Sequence, residues 1–238
     1  MADFARAPHL RIAGAILLAL AMTAAAQEKG PSRQEGEYHV YLSGQEAGVE
    51  KYSIVSEGGK VSARSKLEFR NPGPGPKTMT LECKMEMDLQ LVPQKYELKS
   101  TLDGQQGTII GSFAPNQAIF EFSGNGTSSR SGLLVPGRYT ILDTNIFHHF
   151  VLLARLFQYG RGKTPQSFEV VIPREKDTGT LSISESGEET VQIRGKTVRL
   201  TRLLIDSGSM KIHLWVDNRR VPLKISLPDK GIEIVHGN

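Results

Sequence analysis

The chain of 238 residues carries one cysteine, Cys83, and one tryptophan, Trp215, and aromatic residues make up only 7% of it. A single cysteine excludes an intramolecular disulfide, so the fold is held by non-covalent contacts. Low aromatic content leaves no visible girdles of the kind that mark an outer-membrane barrel, and the last residue, Asn238, is not aromatic. Charge is not concentrated either. The formal net charge is +4, and the nearest things to basic clusters are Arg155 with Arg161 and Lys163, and Asn218-Arg219-Arg220. No basic stripe with a reading motif is present, so nucleic acid is not an expected partner. The sequence also lacks a Gly-x-Ser-x-Gly elbow and a helical His-Glu-x-x-His. Almost all its acidic residues fall on the polar phase of strand-like segments. Catalysis is therefore not expected, and no cofactor is implied.

What is present at the start is an address. Arg6, His9 and Arg11 are followed by the uncharged apolar run Ile12–Met22 and then by Ala24-Ala25-Ala26. That order predicts a secretory signal peptide over residues 1–26, with an apolar core too short for a comfortable membrane span. A mature protein beginning near Gln27 would work outside the cytoplasm, in the periplasm or beyond it. No cysteine lies near the cleavage point, which closes the lipoprotein-anchor route. In an oxidising compartment Cys83 is expected to be buried as a small apolar residue. A reactive thiol would need a nearby base or cationic partner, and Lys84 falls on the opposite face of a strand.

Period-two alternation dominates the rest. From Met79 to Leu91 the odd positions are apolar (Met79, Leu81, Cys83, Met85, Met87, Leu89, Leu91) and the even ones polar. A strand separates two such sets onto opposite faces; a helix would mix them. Similar segments recur at 37–42, 49–55, 61–69, 92–101, 107–113 and 117–122, and later at 168–172, 179–184, 190–194, 197–205, 210–216, 222–226 and 232–235. Turn residues such as Ser43-Gly44, Asp103-Gly104, Asn125-Gly126 and Arg194-Gly195 lie between them. One segment breaks the rhythm. Ile146–Tyr159 has no glycine or proline, repeats Ile146, Phe150, Leu153 and Phe157 at helical spacing, follows the N-capping Asp143-Thr144-Asn145 and ends at Gly160. The expectation is an all-β fold with one helix: a curved antiparallel sheet, or half-barrel, wrapped around a central apolar helix as a single domain over residues 27–238.

The C-terminal stretch Leu214-Trp215-Val216-Asp217-Asn218-Arg219-Arg220-Val221-Pro222-Leu223-Lys224-Ile225 resembles the closing hairpin of an uncharacterised family of exported bacterial β-proteins. In that family a strand ends in tryptophan, an acidic turn and arginine, then re-enters through proline. The first hairpin around Gly44–Gly48 and the helix after Asp143 fit the same outline. The family is in turn similar to the half-barrel carriers that move lipoproteins across the periplasm. That resemblance implies a concave apolar sheet face plugged by the helix Ile146–Tyr159, and it brings no catalytic residues with it.

Two functions follow from a half-barrel of this kind. Concave surface that the helix leaves uncovered is either filled by the protein's own side chains or used by a ligand. The expected lining is Met79, Leu81, Met85, Met87, Phe147 and Phe150, with Trp215 near a rim. Three methionines on one strand face would give a polarizable wall for a lipid or acyl chain, although a methionine on such a face more often fills an ordinary core. The alternative is an envelope scaffold with a filled core, meeting a protein partner through a free strand edge or the Arg219-Arg220 turn. His148 and His149 are adjacent, which on a helix turns them about 100° apart and suits a solvated or hydrogen-bonded pair better than a shared metal. The exported protein is expected to begin at Gln27; intact mass after periplasmic expression checks this, and retention of residues 1–26 would contradict it.

Overall fold

The computed structural model of the protein describes residues 31–71, 77–135 and 137–237; the expected signal peptide and the start of the mature chain lie outside them. Alternation becomes strands nearly everywhere it occurs: β1 (Ser32–Leu42), β2 (Gln45–Glu57), β3 (Lys60–Arg70), β4 (Thr78–Asp88), β5 (Pro93–Leu102), β6 (Gln105–Ala114) and β7 (Gln117–Gly124). After these come β8 (Thr127–Leu134), the short β9 (Tyr139–Ile141), the helix α1 (His149–Leu156), β10 (Gln166–Ile172) and β11 (Asp177–Ile193). The chain finishes with β12 (Lys196–Asp206), β13 (Lys211–Val216), β14 (Pro222–Leu227) and β15 (Ile232–His236). Two-residue turns with positive φ link many neighbours, for example Asp103-Gly104 (φ 48° and 85°) and Asn125-Gly126 (φ 49° and 75°). Such turns match the twist of the strands they join.

All fifteen strands belong to one unclosed sheet, in the order β8-β7-β6-β5-β4-β3-β2-β1-β15-β14-β13-β12-β11-β10-β9. The two halves of the chain meet at its middle, where β1 pairs with β15 from Tyr38↔His236 to Leu42↔Ile232. Every pairing is antiparallel except β9 with β10, which flank α1 and run parallel. The sheet curls so that its β9 end approaches β6 and β7. Tyr139 packs its ring on Phe113, 6.2 Å between centroids, and donates its hydroxyl to the Gln117 carbonyl at 3.4 Å. Among the described residues no helix is long and apolar enough to cross a membrane.

The concave face reads straight down the register. Val61, Ala63 and Leu67 of β3 stand opposite Met87, Met85 and Leu81 of β4, and all six are buried. Phe147, Phe150, Val151, Leu152 and Leu153 of α1 and its entry complete the same core. The helix is shorter than its apolar run predicts. It begins at His149, because Asn145 turns left-handed (φ 62°), and it stops at Leu156, because Phe157 goes extended. Phe157 is 2% exposed and meets Tyr159 edge-on at 4.9 Å between centroids.

Three strand readings change for local reasons. β4 stops at Asp88, although alternation continues to Leu91. The Asp88 carboxylate accepts the amides of Gln90 (2.8 Å) and Val92 (2.9 Å), Leu91 adopts φ 62°, and Leu89 is exposed. The segments at 179–184 and 190–194 are one strand, β11, bent by a bulge between Glu185 and Gly187. β8 was not expected at all, since Thr127–Leu134 is rich in serine and shows no apolar alternation.

Beyond its bulge, the β11–β12 hairpin packs onto the outer face of the sheet. Ile193 and Leu200 form a second apolar cluster with Trp215 and Val235, joined by Tyr41 and Leu223. The Trp215 indole donates to Glu189 at 3.0 Å, and Arg194 at the hairpin tip lies 3.3 Å from His39 on β1. The hairpin therefore straps the β13–β15 and β1 region from outside. Trp215→Ala is expected to cost about 3–5 kcal/mol in urea unfolding followed by circular dichroism. Leu134→Ala, at an exposed position, should cost less than about 0.5 kcal/mol; equal costs would mean that the outer cluster contributes nothing.

Candidate functional site

The site is built on an acid that a strand carries into the core. In β2 the inward phase is Glu50, Tyr52 and Ile54, and Glu50 is 0% exposed. Its carboxylate meets the entry of α1. One oxygen accepts the amides of Phe147 (2.9 Å) and His148 (3.0 Å), and the other lies 2.8 Å from His148 Nδ1. His148 is the N-cap residue and has no side-chain cap bond. Glu50 thus anchors the turn that leads into the helix, where the cap was expected from Asp143-Thr144-Asn145, while the first-turn amides of Phe150 and Val151 bond the Phe147 and His148 carbonyls.

His149 faces the other way. Its Nδ1 accepts the Asp143 amide at 3.0 Å, which leaves the proton of the neutral ring on Nε2, 3.8 Å from Cys83 Sγ. Burial, and then neighbouring His148, hold the His149 pKa well below its ordinary value. The Cys83 thiol is pushed well up, first by burial and then by the Glu50 and Asp143 carboxylates. Asp143 accepts from the Tyr96 hydroxyl through one oxygen and from the Thr144 (2.9 Å) and Arg174 (3.1 Å) amides through the other. Burial raises the Asp143 pKa while these bonds oppose it. A protonated thiol beside a neutral imidazole, both shut away from solvent, does not form an activated nucleophile.

A second arm runs from His148 toward the β1–β15 seam. Tyr52 stacks between Tyr38 and His148, with centroids 5.3 and 6.2 Å away, and its hydroxyl lies 3.1 Å from His236 Nε2. Tyr38 donates to the Pro222 carbonyl at 2.9 Å. Gly36 is needed here for space, because a Cβ would sit 2.5 Å from His236 Nε2 and 2.7 Å from the Tyr52 hydroxyl. Polar groups thus run from the seam through Tyr52, His148 and Glu50, and onward through the adjoining His149 to Cys83, Tyr96 and Asp143.

The expected lining residues are divided between two places. Leu81, Met85, Met87, Phe147 and Phe150 lie in the main core, with partly buried Met79 packed against it. Trp215 does not join them; it belongs to the outer cluster, on the face opposite Leu214 and Val216. A chamber wide enough for an acyl chain would leave its walls open to a water-sized sphere. Leu81, Met85 and Met87 are 0%, 2% and 0% exposed, so this part of the concave face is filled. Concave surface is left open toward one end, where Ile109, Phe122, Gly107 and Gly124 line a groove of about 410 Å³. The rings of the adjacent histidines lie 4.7 Å apart between centroids. They are buried and hydrogen-bonded, and Cys83 joins them from across the sheet.

No protein-family model and no curated protein matches the chain. Among solved structures it is similar to a β-barrel-like protein of domain of unknown function DUF1849 from Brucella abortus. The TM-score is 0.55 at 9% identity, over 87% of this chain and 95% of that one. A DUF1089 family protein from Pseudomonas aeruginosa aligns with a TM-score of 0.45 at 9% identity, over 76% of this chain and 90% of that one. The first likeness shows the fold alone, which is β-barrel-like.

Two outcomes follow from the buried network. Glu50→Ala strips two amides and an imidazole of their partner and should cost about 3–5 kcal/mol in denaturant unfolding; a loss below about 1 kcal/mol would show that the carboxylate is not the helix anchor. Burial lowers the His236 pKa, opposed by Asp217 and Glu37 and assisted by Arg219 and Arg194. A base depressed on folding takes up protons on unfolding, so its contribution is present above its ordinary value of 6.5 and is lost as pH falls below that value. His236→Gln should flatten this part of the stability–pH curve between about pH 6.5 and 5; an unchanged slope would remove His236 from the account.

Proposed function

We propose that this chain is an exported, non-enzymatic interaction module of the bacterial cell envelope, a half-barrel scaffold whose core is filled by its own helix. The filling of the concave face at Leu81, Met85 and Met87 carries this reading, because it removes the interior chamber on which a carrier depends. Binding then falls to the surface. β8 is a free sheet edge eight residues long, six of whose residues are exposed, while β9 at the other end has three residues, all buried. An edge of that kind receives an extended peptide by backbone pairing. Serine, threonine and glycine along β8 place little steric demand on the incoming strand. The signal-like N-terminus and the resemblance of the Trp215–Ile225 hairpin support the envelope setting.

One observation favours a second reading, the binding of a lipid or other amphipathic molecule. The open groove beside Ile109 and Phe122 keeps apolar surface within reach of solvent, and Phe69 and Met79 lie partly buried at the edge of the core. Native mass spectrometry of residues 27–238 made in a bacterial periplasm separates the two. A ligand-free mass, with a discrete protein adduct from a photo-crosslinker at Arg130 and none from one at Arg64 on β3, is the expected result. A co-purifying lipid released by denaturation would overturn the filled-scaffold reading in favour of the groove.

A further inference from the structure

The buried cluster at the head of α1 holds more donor atoms than a helix anchor needs. Cys83, His148 and His149 each offer one sulfur or nitrogen atom within 4.8 Å of the other two, and all three residues are buried. From these atoms we infer a binding site for a borderline-soft divalent cation of the zinc type, ligated by Cys83 Sγ and one nitrogen each of His148 and His149.

Three features carry the assignment. Cys83 Sγ and His149 Nε2 are 3.8 Å apart; across a tetrahedral zinc, with Zn–S about 2.3 Å and Zn–N about 2.0–2.1 Å, the same pair would be about 3.6 Å apart. His148 is 0% exposed and its Nε2 has no hydrogen-bond partner, a bare polar atom in the core. Its other nitrogen is held by Glu50 at 2.8 Å. Carboxylate, imidazole and metal in that sequence is the usual way a ligating histidine has its tautomer and orientation fixed. A fourth position is left to solvent or to Ser65, which stands opposite Cys83 in register and has a buried hydroxyl without a partner.

Loading balances in protons and charge. The cation displaces the thiol proton of Cys83 to solvent, and the thiolate and the Glu50 carboxylate together offset two positive charges in a dry site. The Nε2 proton of His149 moves to Nδ1, so the Asp143 amide loses its acceptor. Ion binding is thereby coupled to the loop that leads from β9 into α1.

Cobalt(II) serves as the probe. The full chain from residue 27, refolded under reducing conditions with one equivalent of cobalt, should show thiolate-to-cobalt charge transfer together with tetrahedral ligand-field bands. Zinc should bleach both. In Cys83→Ala, checked for folding by circular dichroism, the charge-transfer band should vanish. Glu50→Gln, which keeps an oxygen for the two amides, should weaken affinity about 10- to 100-fold. Amide exchange at Asp143 should quicken on loading. Absence of a stoichiometric band from the folded parent, or the same band in Cys83→Ala, would overturn the site.

Discussion

The structure turns on a carboxylate placed where strand chemistry would ordinarily forbid it. Burying Glu50 among apolar side chains is costly unless its oxygens are paired, and here three donors from one helix entry serve both of them. That requirement locates α1. The helix is eight residues long, too short to be stable alone, and has neither a side-chain cap nor an acidic first turn of its own. The two amides leading into it find their acceptor on β2, and its apolar side chains find their surroundings on the curled sheet. Removing the acid would leave the plug without an entry point and the sheet without the element that fills it.

The same constraint organises what surrounds the helix. With His148 fixed against Glu50, His149 is directed at Cys83 on β4, and the Asp143 loop closes over it through Tyr96 on β5. On the other flank the His148 ring completes the stack of Tyr38 and Tyr52, which leads to His236 beside the joint between the two halves of the chain. The polar interior is therefore a continuous tie from β5 across to β15. Outside, the bent β11–β12 hairpin covers part of the same joint through Trp215, Ile193 and Val235. Such a sheet is secured on both faces and ends at β8, the edge on which the proposed interaction rests.

Much of the architecture was legible because sheet faces write themselves into a sequence with period two. The alternation of Leu81, Cys83, Met85 and Met87 places them on one inward face, where all four are buried. The phase of Ile212, Leu214 and Val216 likewise put Trp215 on the opposite face. Elements without an apolar phase escaped: β8 pairs with β7 and sets only Leu133 against the core, and β9 is only three residues long. The site was the least legible part. Glu50 does sit in phase with Tyr52 and Ile54, and that single acid on an inward phase was the available signal. What joins it to His148, nearly a hundred residues later, is the curvature of the sheet, which local patterns do not encode. Cys83 and the two histidines meet for the same reason, and considering the histidines as a pair on one helix concealed the third donor.

The claim that Glu50 anchors the plug is tested most directly by native-state hydrogen exchange at the Phe147 and His148 amides, read by NMR. If the carboxylate holds them as described, both exchange only through global unfolding, with protection equal to that of the β3 and β4 core amides. Rapid exchange at these two positions while the β3–β4 core stays protected would contradict the account, because the helix entry would then open independently of the sheet.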